Sequence, residues 1–439
     1  MKAKRWFVLA VVLATGVTLT HAQLVNGRFL TSFYTWRQFD TVGSATHYTR
    51  AFQTVQLSIA QGNFSLHTYL QGAAGGTSDI GRVRFLNLYL DWSNIENMLD
   101  LSLGRQAIYA GVANGSIDGL RATARLWQDK IRLTGFAGAS VNNDFTGIRK
   151  NIHDNMNFGG QVITTALPDL RFGISYMNRR MERDPYWALR TRDTSFVPEK
   201  YYVTYDSPAE EYGGVDASYT YQSLFSVYGR YDYDFKLSRT FRGQGGARFN
   251  VTDAVSLTAD YIYRAPHSLY NSIFSVFSQN TVSEIEGGVE YAVTPALRAF
   301  GKYAYVSYPA DNGIAKEKND RWTVGLNSVY GSFSYAGSDG YPGQLESVSL
   351  QGAYPLFNRL LTPTLGISYA SYRLSADAPK DNVLSVLLGA TVRPVKAFSC
   401  DIQGQWMTNR IYKNDMRLQL RLMYWFAERL SIFRQEVKP

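Results

Sequence analysis

Arginine, lysine and carboxylate side chains recur at alternate positions along much of this chain, and they are its main chemical resource. On the polar parity of successive alternating segments lie Arg121, Arg125, Arg132, Arg171, Arg230, Arg264, Arg298, Lys302, Arg417 and Arg421. Asp216, Asp232, Asp260, Glu284, Glu286 and Glu290 lie among them. Facing charges of this kind set a field across a wet passage and bias which solutes cross it. The basic positions outnumber the acidic ones, which predicts a mild preference for anions. Opposite charges on adjacent strands also pair readily, so the competing reading is mutual neutralisation that merely keeps the interior hydrated.

Other reactive groups are sparse. His47, His67, His153 and His267 are far apart, and no G-x-S-x-G nucleophile motif accompanies His153-Asp154. Hydrolysis needs a nucleophile, a base and an orienting group held together, so no enzyme is expected. Cys400 is the single cysteine, which excludes an internal disulfide, a C-x-x-C zinc site and C-x-x-C-H haem attachment. It shares the apolar parity with Ile402 and reads as a small hydrophobe. His67 falls on the polar parity of Phe64 to Gln71 and reads as a hydrated interior residue. No cofactor or metal is expected, and the scattered basic residues do not form the patch that nucleic-acid binding requires.

The elements that must position these charges have a period of two. In 120–127, Leu120, Ala122, Ala124 and Leu126 alternate with Arg121, Thr123 and Arg125; in 416–426, Met416, Leu418, Leu420, Leu422, Tyr424 and Phe426 oppose Arg417, Gln419 and Arg421. Such segments are strands with one greasy and one wet face. They run for about 9 to 12 residues, the length of a tilted membrane strand, against roughly five or six in globular proteins. Tyrosines gather at their ends, as at Tyr231 and Tyr233, Tyr261 and Tyr263, Tyr303 and Tyr305, where an interfacial girdle belongs. Composition agrees: 14% aromatic and 18% charged, against roughly a quarter charged in soluble domains.

Residues 1–22 have the three parts of a secretory signal peptide: Lys2, Lys4 and Arg5, an apolar core from Trp6 to Ala14, and Thr20-His21-Ala22 at the cleavage position. Cleavage after Ala22 would lower the formal charge from +9 to +6 by removing those three bases. No later apolar run reaches the roughly 18 residues of a spanning helix. An exported chain without such helices crosses lipid only as a closed barrel, because every backbone polar group must be satisfied there.

Short separators, such as Gln61-Gly62-Asn63, Pro168-Asp169 and Thr252-Asp253, alternate with long polar ones at 140–157, 178–211, 265–283, 307–321 and 375–382. That rhythm is the mark of periplasmic turns and outer loops. The expected fold is all-β: a transmembrane antiparallel up-and-down β-barrel of about 22 strands (about 20–24), with both termini periplasmic. On these features the chain resembles the bacterial outer-membrane β-barrels of the porin kind over residues 23–426. The resemblance implies an assembly signal at the end of the last strand, carried here by Tyr424 and Phe426 and read by the barrel-assembly machinery. This sequence departs from the pattern by continuing through 427–439, an expected periplasmic tail. Leu101 to Gly119 also resembles a porin hairpin, with Gly104-Arg105-Gln106 closing one strand and Asp118-Gly119 opening the next. No plug domain is expected ahead of the first strand.

The function implied is passive diffusion of small hydrophilic solutes or ions across the outer membrane, with lipid as the outer partner. Two other readings stay open. One is a sheath around a multihaem cytochrome, as in porin–cytochrome conduits, with every haem on the partner. The other is a structural or adhesive barrel acting through its loops. The long separator 178–211, rich in Arg, Asp and Glu, is either a constriction folded into the pore or an external loop.

Overall fold

The computed structural model describes residues 23–430 apart from 42–43, 76–82, 143, 149–150, 183–185, 193–194, 204–208, 266–280, 310–315, 376 and 411–413. The expected signal peptide and residues 431–439 of the expected tail lie outside the described residues. The first strands are β1 (Gln23–Thr41), β2 (Ser44–Gln61), β3 (Phe64–Ala74), β4 (Val83–Ile95), β5 (Leu99–Ala110) and β6 (Ala113–Leu126). Next come β7 (Ile131–Ser140), β8 (Met156–Thr164), β9 (Leu170–Arg179), β10 (Tyr186–Arg192), β11 (Ser195–Val203) and β12 (Glu210–Tyr221). They continue as β13 (Phe225–Asp234), β14 (Arg239–Asn250), β15 (Val255–Arg264), β16 (Val282–Thr294), β17 (Leu297–Tyr308) and β18 (Glu317–Ser328). The last are β19 (Gly331–Gly340), β20 (Gly343–Ala353), β21 (Leu361–Arg373), β22 (Asp381–Val395), β23 (Phe398–Thr408) and β24 (Asp415–Leu430).

Each strand pairs antiparallel with its neighbours in sequence, except that β9 pairs with β12 past the separate β10–β11 hairpin. The ring closes where β1 meets β24, with Gln23 opposite Leu430 and Phe29 opposite Tyr424. The result is a 22-stranded closed sheet. Closure satisfies the backbone without an open edge, which lipid demands. The last strand does not stop at Phe426; Ala427 to Leu430 continue its pairing with β1.

Alternation fixes the two faces. Leu257, Val289, Val324, Leu350, Ile402 and Leu418 are exposed on the outer surface, and cross-strand register keeps them in outward rows. Cys400 stands opposite Leu422 in that outward set. Tyr231, Tyr261, Tyr303 and Tyr305 ring the outer face toward the long-loop end. Toward the other end lie the ring pairs Phe64–Trp92, Tyr221–Phe225, Tyr330–Tyr354 and Tyr424–Phe426. Two aromatic girdles with an aliphatic band between them match the polarity profile of a bilayer.

The short connections predicted from sequence all fall at one end, together with both described ends of the chain. Asn97, Asp129 and Asp169 turn there at positive φ, a region that Asn and Asp tolerate better than most residues. Thr252 and Ser328 cap their turns, each accepting backbone N–H groups two and three residues on. The long connections fall at the opposite end. Inside the segment 178–211, read as a loop, β10 and β11 form a two-stranded hairpin that pairs with itself alone.

A hairpin folded into the lumen

One pair of strands leaves the wall. β5 pairs with β4 only as far as Arg105, opposite Leu88, and β6 pairs with β7 only from Ile117, opposite Ser140. Between those points Gln106 to Ala110 pair with Ala113 to Ile117 across the Gly111-Val112 turn. The hairpin curls inward and lies along the inner face of the neighbouring strands. Ile108, Ala110, Ala113 and Ile117 pack there with Phe136 of β7, Met177 of β9 and Tyr212 of β12, flanked by Phe241 of β14. Ile117 is 0% exposed. Burying an isoleucine or phenylalanine side chain contributes about 1.5–3 kcal/mol, so this small core inside the bore holds the hairpin firmly.

Polar contacts fix the tip at mid-depth. Val112 N–H donates to Ser175 Oγ at 3.0 Å, Arg230 donates to the Gly111 carbonyl at 3.2 Å, and Arg179 donates to the Asn114 carbonyl at 3.3 Å. The bend itself uses Gly104, at φ +127°, and Gly119. A Cβ on Gly119 would sit on the Ala137 carbonyl oxygen and 2.5 Å from Gly138 Cα. A side chain would push the wall apart just where the hairpin swings away.

The departure leaves a breach between β4 and β7, and residues 144–147 of the following connection fill it. Phe85 N–H donates to the Phe145 carbonyl at 3.0 Å, as a neighbouring strand would. Arg105 rivets the three pieces together. Nε and Nη2 donate to the two Asp118 carboxylate oxygens at 2.7 Å each, Nη1 to the carbonyls of Phe85 and Phe145, and Nη2 also to that of Gly147. Arg105 is only 6% exposed.

The lumen charges

The structure brings most of the predicted charges together as pairs. Arg171 pairs with Asp216, and Arg230 holds both oxygens of Asp232 at 2.9 and 3.0 Å. Lys302 meets Glu286 at 2.8 Å, Arg298 lies 3.8 Å from Glu290, and Glu284 is held by Arg321. Asp260 accepts from the Tyr228 hydroxyl at 3.0 Å. Arg417 binds Asp415 at 2.8 Å, and Arg421 lies 3.9 Å from Asp401. Arg125 reaches Asp100 at 3.0 Å near the short-turn end, and Arg121 donates to Ser102 Oγ at 3.0 Å. Arg132 and Arg264 make no ion pair among the described residues; they stand opposite Arg125 and Arg242 respectively. His67 faces the lumen, bonded to Ser65 Oγ at 2.8 Å and stacked on Tyr89. His153 sits in a 3-10 turn beside Asp154 and is exposed.

Sequence reasoning passed over Glu210, Arg242, Arg248 and Arg321, and it placed Arg105 and Asp118 at the ends of a hairpin and Arg179 in the long separator without giving them a contact. The charged wall runs from β9 to β18, and Arg248 completes it by meeting Glu290 at 2.7 Å. From β19 to β23 hydroxyls and amides dominate the lumen, with Asp401 held by Thr391 and Arg421: Ser334 bonds Ser349 at 2.9 Å, Gln351 donates to Ser332 at 3.0 Å, and Gln405 donates to Ser385 at 2.8 Å. Under the hairpin tip lies a cavity of about 1070 Å³, bounded by Tyr109, 111–115, Gln161, Arg171, Asp216, Tyr228, Arg230 and Gln244.

No family model matches the chain, and neither does any curated protein. Solved structures do. A mutant ferric enterobactin receptor from Pseudomonas aeruginosa aligns with TM-score 0.61 at 10% identity, covering 92% of this chain and 81% of that one. OccAB4 of Acinetobacter baumannii (TM-score 0.43, 9% identity) covers 93% and 99% of the two chains, and a BenF-like porin from Pseudomonas fluorescens (0.42, 9%) covers 92% and 99%. In fold, the chain is a closed 22-stranded antiparallel β-barrel. The likeness to the receptor is one of architecture, and the greasy outer band with its two girdles is the surface of a membrane-spanning barrel.

Proposed function

We propose that this barrel is a channel through which small hydrophilic solutes and ions diffuse across the outer membrane. The observation that carries the reading is the inward hairpin: it narrows one side of a wide water-lined bore without being part of the wall. A lumen of paired charges and hydroxyls offers passing solutes hydrogen bonds at every level while excluding lipid. The acids are largely neutralised by neighbouring bases, whereas Arg132 and Arg264 are not, and this tilts the pore mildly toward anions.

In this reading the short turns and both termini face the periplasm, residues 1–22 are removed on export, and 431–439 stay periplasmic. Tyr424 and Phe426, side by side on the outer face of the closing strand, serve the barrel-assembly machinery as its signal. A cytochrome sheath fits less well, because the hairpin core occupies space that such a partner needs. An adhesive role would leave the internal charge pairing without a use. The test is conductance of the purified protein in planar bilayers: stepwise current without any partner supports the channel, and a sealed membrane overturns it.

A further inference from the structure

We propose that the cavity beneath the hairpin tip is a binding subsite for neutral, ring-shaped polyols, that is, pyranose units of short oligosaccharides. This deepens the channel reading and rests on it. Ile108, Ala110, Ala113 and Ile117 on the packed face of the hairpin are buried, yet Tyr109 on its other face is 80% exposed and borders the cavity. A rigid hairpin therefore holds one phenol ring free in the passage. The electron-rich face of an aromatic ring suits the polarised C–H groups on the flat face of a pyranose.

The rim supplies the complementary half. Arg171 with Asp216 and Arg230 with Asp232 are planar donors and acceptors already engaged with each other, and Gln244 and Tyr228 stand beside them, joined at 3.0 Å. Paired charges attract ions weakly but hydrogen-bond hydroxyls in both directions. The volume of about 1070 Å³ slightly exceeds the range of roughly 300–1,000 Å³ found for small-molecule sites. The serine and glutamine groups that dominate β19–β23 add a second wall rich in neutral hydrogen-bonding partners for hydroxyls.

The experiment uses the full-length protein in planar bilayers, with potassium chloride current establishing the pathway and maltotriose as the probe. Maltotriose is expected to interrupt the current reversibly, with half-block at about 1–10 mM. Tyr109→Ala should weaken the block about five- to tenfold and Tyr109→Phe should preserve it, since only the ring is needed. Tyr202→Ala, on the separate β10–β11 hairpin, should leave the block as it is. A heat-dependent shift in gel mobility confirms that each variant is folded. Current without maltotriose block, a block indifferent to Tyr109→Ala, or block by glucuronate but not by maltotriose overturns the subsite. If no current flows, the channel reading fails by itself, and calorimetric titration of the detergent-solubilised barrel with maltotriose decides the subsite: binding weakened by Tyr109→Ala supports it, and absence of binding overturns it.

Discussion

Arg105 and Asp118 face each other across β5 and β6, at the level where these strands quit the barrel wall, and their bidentate pair spends all five guanidinium N–H groups when the three carbonyls of Phe85, Phe145 and Gly147 are included. The pair lies on the parity that elsewhere faces lipid. It is tolerated there because residues 144–147 cover it. A charge pair at this place is thus a joint, not a lumen contact.

Removing one partner strands the other. Arg105→Ala leaves the Asp118 carboxylate without its guanidinium and takes one donor each from the carbonyls of Phe85, Phe145 and Gly147, a defect that costs about 3–5 kcal/mol when a buried pair is broken. The midpoint of urea unfolding, read by gel mobility, should fall accordingly, and Arg105→Ala with Asp118→Ala should recover part of the loss. An Arg105→Ala barrel as robust as the native one would refute the joint.

Replacing 107–115 by a tight turn empties the bore of its hairpin core. Single-channel conductance should rise about twofold. Equal conductance would mean that the narrowest point lies elsewhere.

Gly119→Ala should already damage assembly, because the new Cβ meets the backbone of Ala137 and Gly138; overpacking of this kind costs about 1–3 kcal/mol. Gly135→Ala, where a Cβ meets nothing within 4 Å, serves as the comparison and should stay within about 0.5 kcal/mol of the native barrel. Yields of folded protein from the two variants distinguish local crowding from a general intolerance of side chains.

Excision of 186–203 should leave conductance unchanged, since β10 and β11 pair with each other and not with the barrel. A rise in conductance would show that this hairpin obstructs the pathway.

Arg132→Glu combined with Arg264→Glu replaces two unneutralised bases by acids. The reversal potential in a salt gradient should move toward cations, most clearly at low ionic strength, where screening is weakest. No movement would place the selectivity with the paired residues instead.

Much of this molecule was legible in its alternation. Greasy and wet residues trade places along each strand because lipid and water lie on opposite sides, so strands such as 120–126 and 416–426, the short turns and the lumen arginines could be read locally. The hairpin could not. Residues 106–117 keep a strand-like pattern, and what pulls them inward is contact with Phe136, Met177, Tyr212 and Phe241, well removed in sequence. A faint signal existed: Ile108, Ile117, Phe136, Met177 and Tyr212 are apolar on the parity that should be wet. The pairing of charges was also hidden, since Asp232 takes Arg230 from its own strand and Asp216 takes Arg171 diagonally, from beside rather than across. In 178–211 the charged residues masked the alternating Trp187 and Leu189 of a small ribbon, in which Tyr202 stands opposite Trp187.

The seam between β1 and β24 has a temporal meaning. Every other pairing in the cylinder joins strands close in sequence and can zip up as each arrives, but the seam joins residues from opposite extremes of the ribbon. It is the last weld, and until Asp415–Leu430 is available β1 remains an unmatched edge that needs shelter. A rotated gene order, with Leu430 linked to Gln23 and new ends cut in a long loop, would keep every rung of the ladder and change only which weld comes last.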